Sequence, residues 1–526
     1  MKNMQILDCT LRDGGYCNEW EFGYSNISKI INKLDAAGID IIECGFLTNK
    51  NADNHDLSRY KTLRDLGSHV NTGKKAKLVV MANYGEYDFH QLPENEGIVD
   101  GIRVAFHKDD WEKALEACRL VQEKGYLVFA QPMVSLRYSE EEFLNLIKEI
   151  NAMNPYAFYI VDSFGSMKQE ELEKLYIIAN EILKADIILG FHAHNNMQLA
   201  RANAEWLIEN CAGNRNILID SSVCGMGRGA GNLNTELIAE YLNSVKDTNY
   251  NVKSILEIID EVILDFYEKK YWGYSLPNFL SAKYNLHPNY AEFLEGKKTL
   301  TYKEMCEIFE NFMPDKKYEF DKEYIEKAYI QYLDNKSNSK RQSIGELKKL
   351  FQGKEVLLIA PGSSVGTEES SIRKFMDSGS GVAVSVNFKH PNIDTDFVFF
   401  SNIRRYRQAD TKGENVIITS NIGDNVDYVI PYKKYLNSER GVEDNAVLMF
   451  IRFLMDCDVG HIYLAGVDGY AYDMEENYLD ESLQIAMSRK DVREKNRGIE
   501  KTITALRKSA DIDFITATKL FKTEEK

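Results

Sequence analysis

The sequence has little of what would make a nucleic-acid-binding, membrane or secreted protein. Lys and Arg number 64 against 81 Asp and Glu, for a formal net charge of −17. Broad nucleic-acid binding rests on a basic surface, which this balance denies. No apolar run approaches the roughly 18 residues that a membrane helix requires, although 44% of the residues are hydrophobic. The opening Met1-Lys-Asn-Met-Gln-Ile-Leu-Asp-Cys9 has no extended apolar region and no small-residue cleavage site, so a cytoplasmic protein without a secretory signal is expected. The eight cysteines form no CxxC pair and no even spacing, which excludes a disulfide framework or a cysteine–zinc cluster and fits reduced thiols. Cys44 and Cys224, at the ends of expected strands, are the two candidates to face a site. There is no internal repeat and no low-complexity tract. Neither a GxGxxG fingerprint nor a P-loop lysine is present, so NAD or ATP binding does not follow.

What is present is length and alternation. At 526 residues the chain exceeds what one hydrophobic core supports, and two domains are expected. Eight short β-branched and apolar runs, from Ile6–Cys9 through Ile217–Cys224, alternate with amphipathic helical stretches. This order predicts an α/β chain whose residues 1–250 form a (β/α)₈ TIM barrel, with a doubly wound open sheet as the competing arrangement. Residues 251–335 read as a helical extension of the barrel and contain the compact turn Trp272-Gly-Tyr274-Ser-Leu-Pro-Asn278. A polar stretch without an apolar residue places a linker at 336–343. A second series of seven expected strands over 344–526, from Val356–Ala360 to Phe514–Thr516, predicts an open Rossmann-like α/β domain.

Two segments carry most of the chemistry. Asp8-Cys-Thr-Leu-Arg12-Asp13-Gly-Gly sets an Arg and an Asp just after an apolar strand. Phe191-His192-Ala-His194-Asn195 sets two imidazoles at i and i+2, on one face of a strand. A carboxylate and two histidines at strand ends make half of an octahedral divalent-metal site, and an adjacent Arg can hold a substrate anion. Glu43 ends the second expected strand, Asp162-Ser163 the sixth, and Gly225-Met-Gly-Arg-Gly-Ala-Gly231-Asn232 follows the eighth. Singly, each has a plainer account, since Asp caps turns, most HxH pairs are ordinary histidines and glycine-rich loops are tight turns. Joint occurrence at the carboxyl ends of one barrel's strands is what points to a site.

Taken together, DCTLRDGG, IIECGF, VDSFG, GFHAHNN and GMGRGAGN resemble the metal-dependent barrel lyases and synthases that share an Arg-Asp opening motif. That family includes 3-hydroxy-3-methylglutaryl-CoA lyase, isopropylmalate and homocitrate synthases and 4-hydroxy-2-oxovalerate aldolase. The stretch WGYSLPNFLSAKYNLHPNY at 272–290 is most similar to the aldolase branch, and the resemblance covers roughly residues 4–295. It implies that Asp13, His192 and His194, with Asn232 as a further candidate, ligate Mn²⁺ or Mg²⁺. It further implies that Arg12 stabilises an enolate oxygen and that Ser163 and Glu43 line a 2-oxo acid pocket. The implied reaction is formation or cleavage of a 4-hydroxy-2-oxo acid through a pyruvate-type enolate. Its partners would be a small 2-oxo acid and an aldehyde, and a homo-oligomer is allowed. An acyl-CoA/2-oxo acid Claisen synthase is the runner-up, and an inactive scaffold is the non-enzymatic alternative. The aldolases place a His shortly after the Arg-Asp motif, where this chain has Gly15-Tyr16-Cys17. Tyr16, with its pKa lowered by the metal or Arg12, a metal-bound water, His107 and Tyr274 are therefore the candidates for the general base.

In the second half, Val356-Leu-Leu-Ile-Ala-Pro-Gly362-Ser363-Ser364-Val-Gly-Thr367 reads as a strand, a Gly/Ser turn and a helix start capped by Thr367. Asn387, Asn402 and Asp468 follow the ends of other expected strands, where open α/β sheets bind ligands. The layout resembles sialyltransferase-like Rossmann-type domains of surface-polysaccharide pathways. That likeness implies a nucleotide or nucleotide-sugar held by Gly362, Ser363, Ser364, Asn387, Asn402 and Asp468, and a role in sugar metabolism.

Overall fold

The computed structural model describes residues 4–50, 54–70, 73–211, 215–297, 299–335, 344–379, 381–424, 426–472, 477–484, 487 and 489–521. The expected linker at 336–343 lies outside the described residues. The chain divides into two compact units. One comprises Met1–Glu292 with Phe312–Phe320, and the other Phe293–Asn311 with Asp321–Lys526.

In the first unit, apolar residues at period 2 build strands that are buried on both faces. Ala157, Tyr159 and Val161 of one strand join an inner cluster with Leu7, Phe129 and Leu218. The alternate residues Phe158 and Ile160 face the larger cluster shared with the helices. The strands are β1 (Met4–Asp8), β2 (Ile41–Leu47), β3 (Lys77–Asn83), β4 (Gly101–Phe106), β5 (Leu127–Pro132), β6 (Ala157–Asp162), β7 (Ile188–Ala193) and β8 (Ile217–Ser221). All neighbours pair in parallel, and β1 closes the ring by pairing with both β8 and β2. This is a (β/α)₈ barrel. The expected eighth strand ends early because Cys224 adopts φ 55° inside a 3₁₀ turn, Val223–Gly225.

The helices between the strands show why they form. Glu140–Met153 starts at Ser139, whose Oγ accepts from Glu142 N at 3.3 Å while the Glu142 carboxylate accepts from Ser139 N at 2.8 Å. Such a capping box contributes about 1 kcal/mol. The helix buries Phe143, Leu146, Ile147, Ile150 and Met153, a 3.6-residue stripe, and stops at Asn154 in the left-handed region.

The second unit is an open sheet of seven parallel strands, β9 (Glu355–Ile359), β10 (Gly381–Val386), β11 (Phe397–Phe400), β12 (Val416–Thr419), β13 (Tyr428–Ile430), β14 (His461–Ala465) and β15 (Ile512–Phe514). Their order is β13-β12-β11-β10-β9-β14-β15, so the winding reverses between β9 and β14. The 251–335 stretch, expected as one extension of the barrel, is divided between the units. Thr299 and Asp444 both hydrogen-bond the Tyr329 hydroxyl, at 2.6 and 2.7 Å, and Glu295 pairs with Arg404 at 3.1 Å. These bonds group 293–311 and 321–335 with the open sheet.

Candidate metal centre at the carboxyl end of the barrel

β1 ends at Asp8, whose carboxylate accepts from Thr10 N at 3.0 Å and from the Thr235 hydroxyl at 2.6 Å. The chain then makes one helical turn, Thr10–Asp13, that turns Arg12 and Asp13 into the barrel mouth, both buried. His192 and His194 come from the end of β7, at matching inward parity. The Nε2 atoms of His192 and His194 lie 3.5 and 3.6 Å from Asp13 Oδ2. Arg12 Nη1 lies 3.2 Å from the same oxygen.

Asp13 is fully buried, and neither of its carboxylate oxygens has a hydrogen-bond partner among the described residues. Nor has the buried Oδ1 of Asn232, whose backbone bridges to His194. Burial works against the Asp13 charge, but Arg12 and the two imidazoles hold its pKa well below the usual carboxylate range. Burial lowers His194 to about 3, so its ring is neutral and its lone pair is available. Burial works against a charge on His192, but its bonds to Asp13 and Asp220 outweigh it and raise its pKa. Orphaned buried oxygens beside the neutral His194 ring are donors that a hard divalent cation takes.

Cys9 also lies within donor distance of Asp13 and His192. Its thiol donates to the Ser221 carbonyl at 3.2 Å, and burial pushes its pKa up. It therefore stays a neutral thiol and a poor ligand. Cys44 instead belongs to the core cluster outside the ring of strands, and Cys224 packs at that cluster's edge.

A belt of buried charges supports this cluster. Glu43 Oε2 accepts from Arg12 Nε at 2.9 Å and forms an ion pair with Arg103, whose Nη1 also lies 2.9 Å away. Arg103 also pairs with Asp220, which accepts from the Tyr159 hydroxyl at 3.0 Å and lies 3.0 Å from His192 Nδ1. Asp220 thus fixes which ring nitrogen of His192 faces Asp13. Glu43, expected in the pocket wall, braces Arg12 from beneath. Sequence reasoning missed Arg103 and Asp220, each a lone charge inside an apolar strand (GIRVAF, ILIDS) at inward parity. That parity is the signal that could have found them.

The other expected residues are distributed unevenly. Ser163 Oγ accepts from Val134 N at 2.9 Å, and its carbonyl accepts from Arg228 Nη2 at 3.2 Å. The Arg228 guanidinium lies 5.4 Å from the Tyr16 ring, and its buried Nε has no partner among the described residues. Burial raises the Tyr16 pKa despite Arg228, opposite to the lowering that a phenolate base needs. Tyr274 is 49% exposed, and its carbonyl accepts from the neighbouring Tyr271 hydroxyl at 3.3 Å. Its neighbour Trp272 is the anchor of that turn, donating to the Cys224 carbonyl at 3.0 Å. His287 is a further, half-buried histidine that the sequence did not single out, lowered to about 3 by desolvation.

In the second unit Asp468 occupies the Gly/Ser turn. Its carboxylate accepts from Ser364 N at 2.8 Å and from the Ser363 and Ser364 hydroxyls. A phosphate expected at that helix start would meet a carboxylate. Thr367 ends a single turn, Ser364–Thr367, with its hydroxyl donating to the Ser364 carbonyl, instead of capping a longer helix. Asn387 and Asn402 follow β10 and β11, facing a common cavity with Gly362 and Asp468.

Residues 105–262 match the HMGL-like family model. The matched residues lie within the barrel unit. The chain is 27% identical over 266 residues to 4-hydroxy-2-oxovalerate aldolase 6 of Rhodococcus jostii (strain RHA1), covering 50% of this chain and 74% of that one. It is 29% identical over 268 residues to a 4-hydroxy-2-oxovalerate aldolase of Carboxydothermus hydrogenoformans, covering 50% and 77%. Among solved structures, it is similar to the N-terminal domain of a Bacteroides vulgatus protein provisionally designated an aldolase. That match has a TM-score of 0.51 and 27% identity and covers 58% of this chain and 99% of the other. The family match and the relatives together support an enzyme of the lyase and aldolase class.

Proposed function

We propose that the barrel is a divalent-metal-dependent aldolase that makes or breaks a 4-hydroxy-2-oxo acid through the enolate of pyruvate or a related 2-oxo acid. The observation that carries this is the convergence of His192, His194 and Arg12 on a buried Asp13 carboxylate without hydrogen-bond partners among the described residues. Asp13, His192 and His194, with Asn232 Oδ1 as a further oxygen, would hold Mn²⁺ or Mg²⁺. When bound, such an ion polarises a 2-oxo acid and favours loss of a proton from the adjacent carbon.

The chain's own residues do the rest. Burial opposes the Arg12 charge, but Asp13 and Glu43 outweigh it and raise its pKa, so the guanidinium stays charged. Its Nη2 has no partner among the described residues and is left to stabilise an enolate oxygen. Arg228 and Ser163 line the adjoining wall and suit the carboxylate of the acid. Tyr16, kept as a phenol, would donate to the aldehyde oxygen as the new carbon–carbon bond forms. A setting in sugar metabolism draws support only from the resemblance of the second unit.

The test is exchange of pyruvate methyl protons in D₂O, followed by NMR with Mg²⁺ and then with EDTA. Metal-dependent exchange that is lost in Asp13→Ala and in Arg12→Ala is expected. No exchange while metal is bound would defeat the pyruvate enolate and favour the acyl-CoA synthase.

A further inference from the structure

The second unit carries a cavity of about 190 Å³ at the carboxyl end of its parallel sheet. Residues following four strands form it: Gly362 after β9, Asn387 after β10, Asn402 after β11 and Asp468 after β14. In open α/β sheets this edge, near the reversal of winding, is where ligands bind.

The acceptors in its wall are already engaged. Asp468 takes the Ser363 and Ser364 donors, and Asp444 accepts from the Tyr329 hydroxyl at 2.7 Å. Asn387 Oδ1 accepts from Ser401 N at 3.0 Å, and Asn402 Oδ1 from Arg404 N and Arg405 N at 2.9 and 3.2 Å. What these two amides still offer is N–H donors.

The cations are not engaged in the same way. Arg404 is neutralised by both oxygens of Glu295, at 3.4 and 3.1 Å. Its neighbour Arg405 lines the cavity, donates to the Leu483 carbonyl and lies 5.9 Å from the Tyr478 ring. Burial lowers its pKa, and Asp480 acts on it only from beyond ion-pair distance. No carboxylate among the described residues pairs with it. Lys495, from the helix Arg489–Leu506, lines the same cavity with its ammonium 5.5 Å from the Tyr470 ring. It too has no carboxylate partner among the described residues. A half-buried guanidinium kept charged without a counter-ion is costly unless a ligand supplies one.

We infer that this cavity binds a phosphate-bearing small molecule, its phosphate held between Arg405 and Lys495 and its organic part against Tyr470 and Tyr478. Phosphate is favoured because Arg405, Lys495, Asn387 and Asn402, all carriers of N–H donors, line one cavity, which suits a ligand with several anionic oxygens. The flanking rings add stacking faces for a base or sugar.

The test is calorimetry on the full chain with EDTA present, so that no metal in the barrel contributes. The probes are inorganic pyrophosphate, UDP, ADP and glucose 1-phosphate. At least one should bind, with affinity falling as salt rises and dropping about tenfold or more in Arg405→Gln. Lys495→Gln, at a half-buried helical position, should weaken binding by a smaller factor and covers the case in which Arg405→Gln fails to fold. Asp13→Asn should bind as the wild type does. Preference for UDP or ADP over pyrophosphate identifies a nucleotide, and preference for glucose 1-phosphate identifies a sugar phosphate. Absence of binding by all four probes, or binding that neither substitution weakens, would overturn the inference.

Discussion

Asp220 is the residue on which both stability and chemistry converge. It faces His192 at 3.0 Å and also pairs with Arg103, which is completely buried. Asp220→Asn would leave Arg103 with Glu43 alone, and losing one partner of a buried pair costs about 3–5 kcal/mol. It would also free the His192 ring, for an expected loss of roughly 10–100-fold in metal affinity. Urea unfolding and a Mn²⁺ titration read the two effects separately, and unchanged metal affinity would make Asp220 purely structural. Asp162 gives a pH signature. Burial raises its pKa from 3.8 to about 6 against the bonds from Ser166 N and Met167 N. An acid whose folded pKa lies above its unfolded value binds more protons when folded, so stability falls as pH rises from about 4 to about 6. The loss is on the order of 2–3 kcal/mol, and Asp8, also raised to about 6, acts with the same sign. Asp162→Asn should flatten that part of the curve. Parallel melting curves for wild type and variant between pH 4.5 and 7 would show that Asp162 ionises as freely folded as unfolded.

At the scale of elements, β7 connects packing to the site. A Cβ on Gly190 would stand 2.5 Å from the Tyr159 ring, and Tyr159 in turn holds Asp220. Gly190→Ala is therefore expected to destabilise the barrel by about 1–3 kcal/mol through overpacking and to weaken metal binding through Asp220. A stability loss without a metal effect would show the coupling to end at the tyrosine. The barrel strands and their order are legible in sequence because eight short apolar runs recur among amphipathic helical stretches. Asp13, His192 and His194 are legible because strand ends and parity place them together. Arg103 and Asp220 are not, since a single charge does not disturb an apolar strand pattern. Tyr274 shows the converse: a motif residue whose neighbour, Trp272, is the buried one. In the second unit, the Gly/Ser turn looks like an anion cradle until Asp468, 104 residues beyond Ser364, is seen to fill it.

For the whole molecule, the division into units depends on contacts distant in sequence, such as Tyr329 with Asp444, 115 residues apart. Hydrophobic periodicity cannot report these. A fragment covering 344–526 would lack Thr299, Tyr329 and Glu295, leaving Asp444 and Arg404 without their partners. It is expected to melt at a lower temperature than a fragment beginning at 293, as circular dichroism would show. Equal melting temperatures would make the two segments dispensable to the sheet. The chain passes from one unit to the other at 292/293, 311/312 and 320/321. An end-to-end gene fusion leaves one such passage, and this chain has three. The second unit is therefore not a segment that a single cut in the chain separates intact.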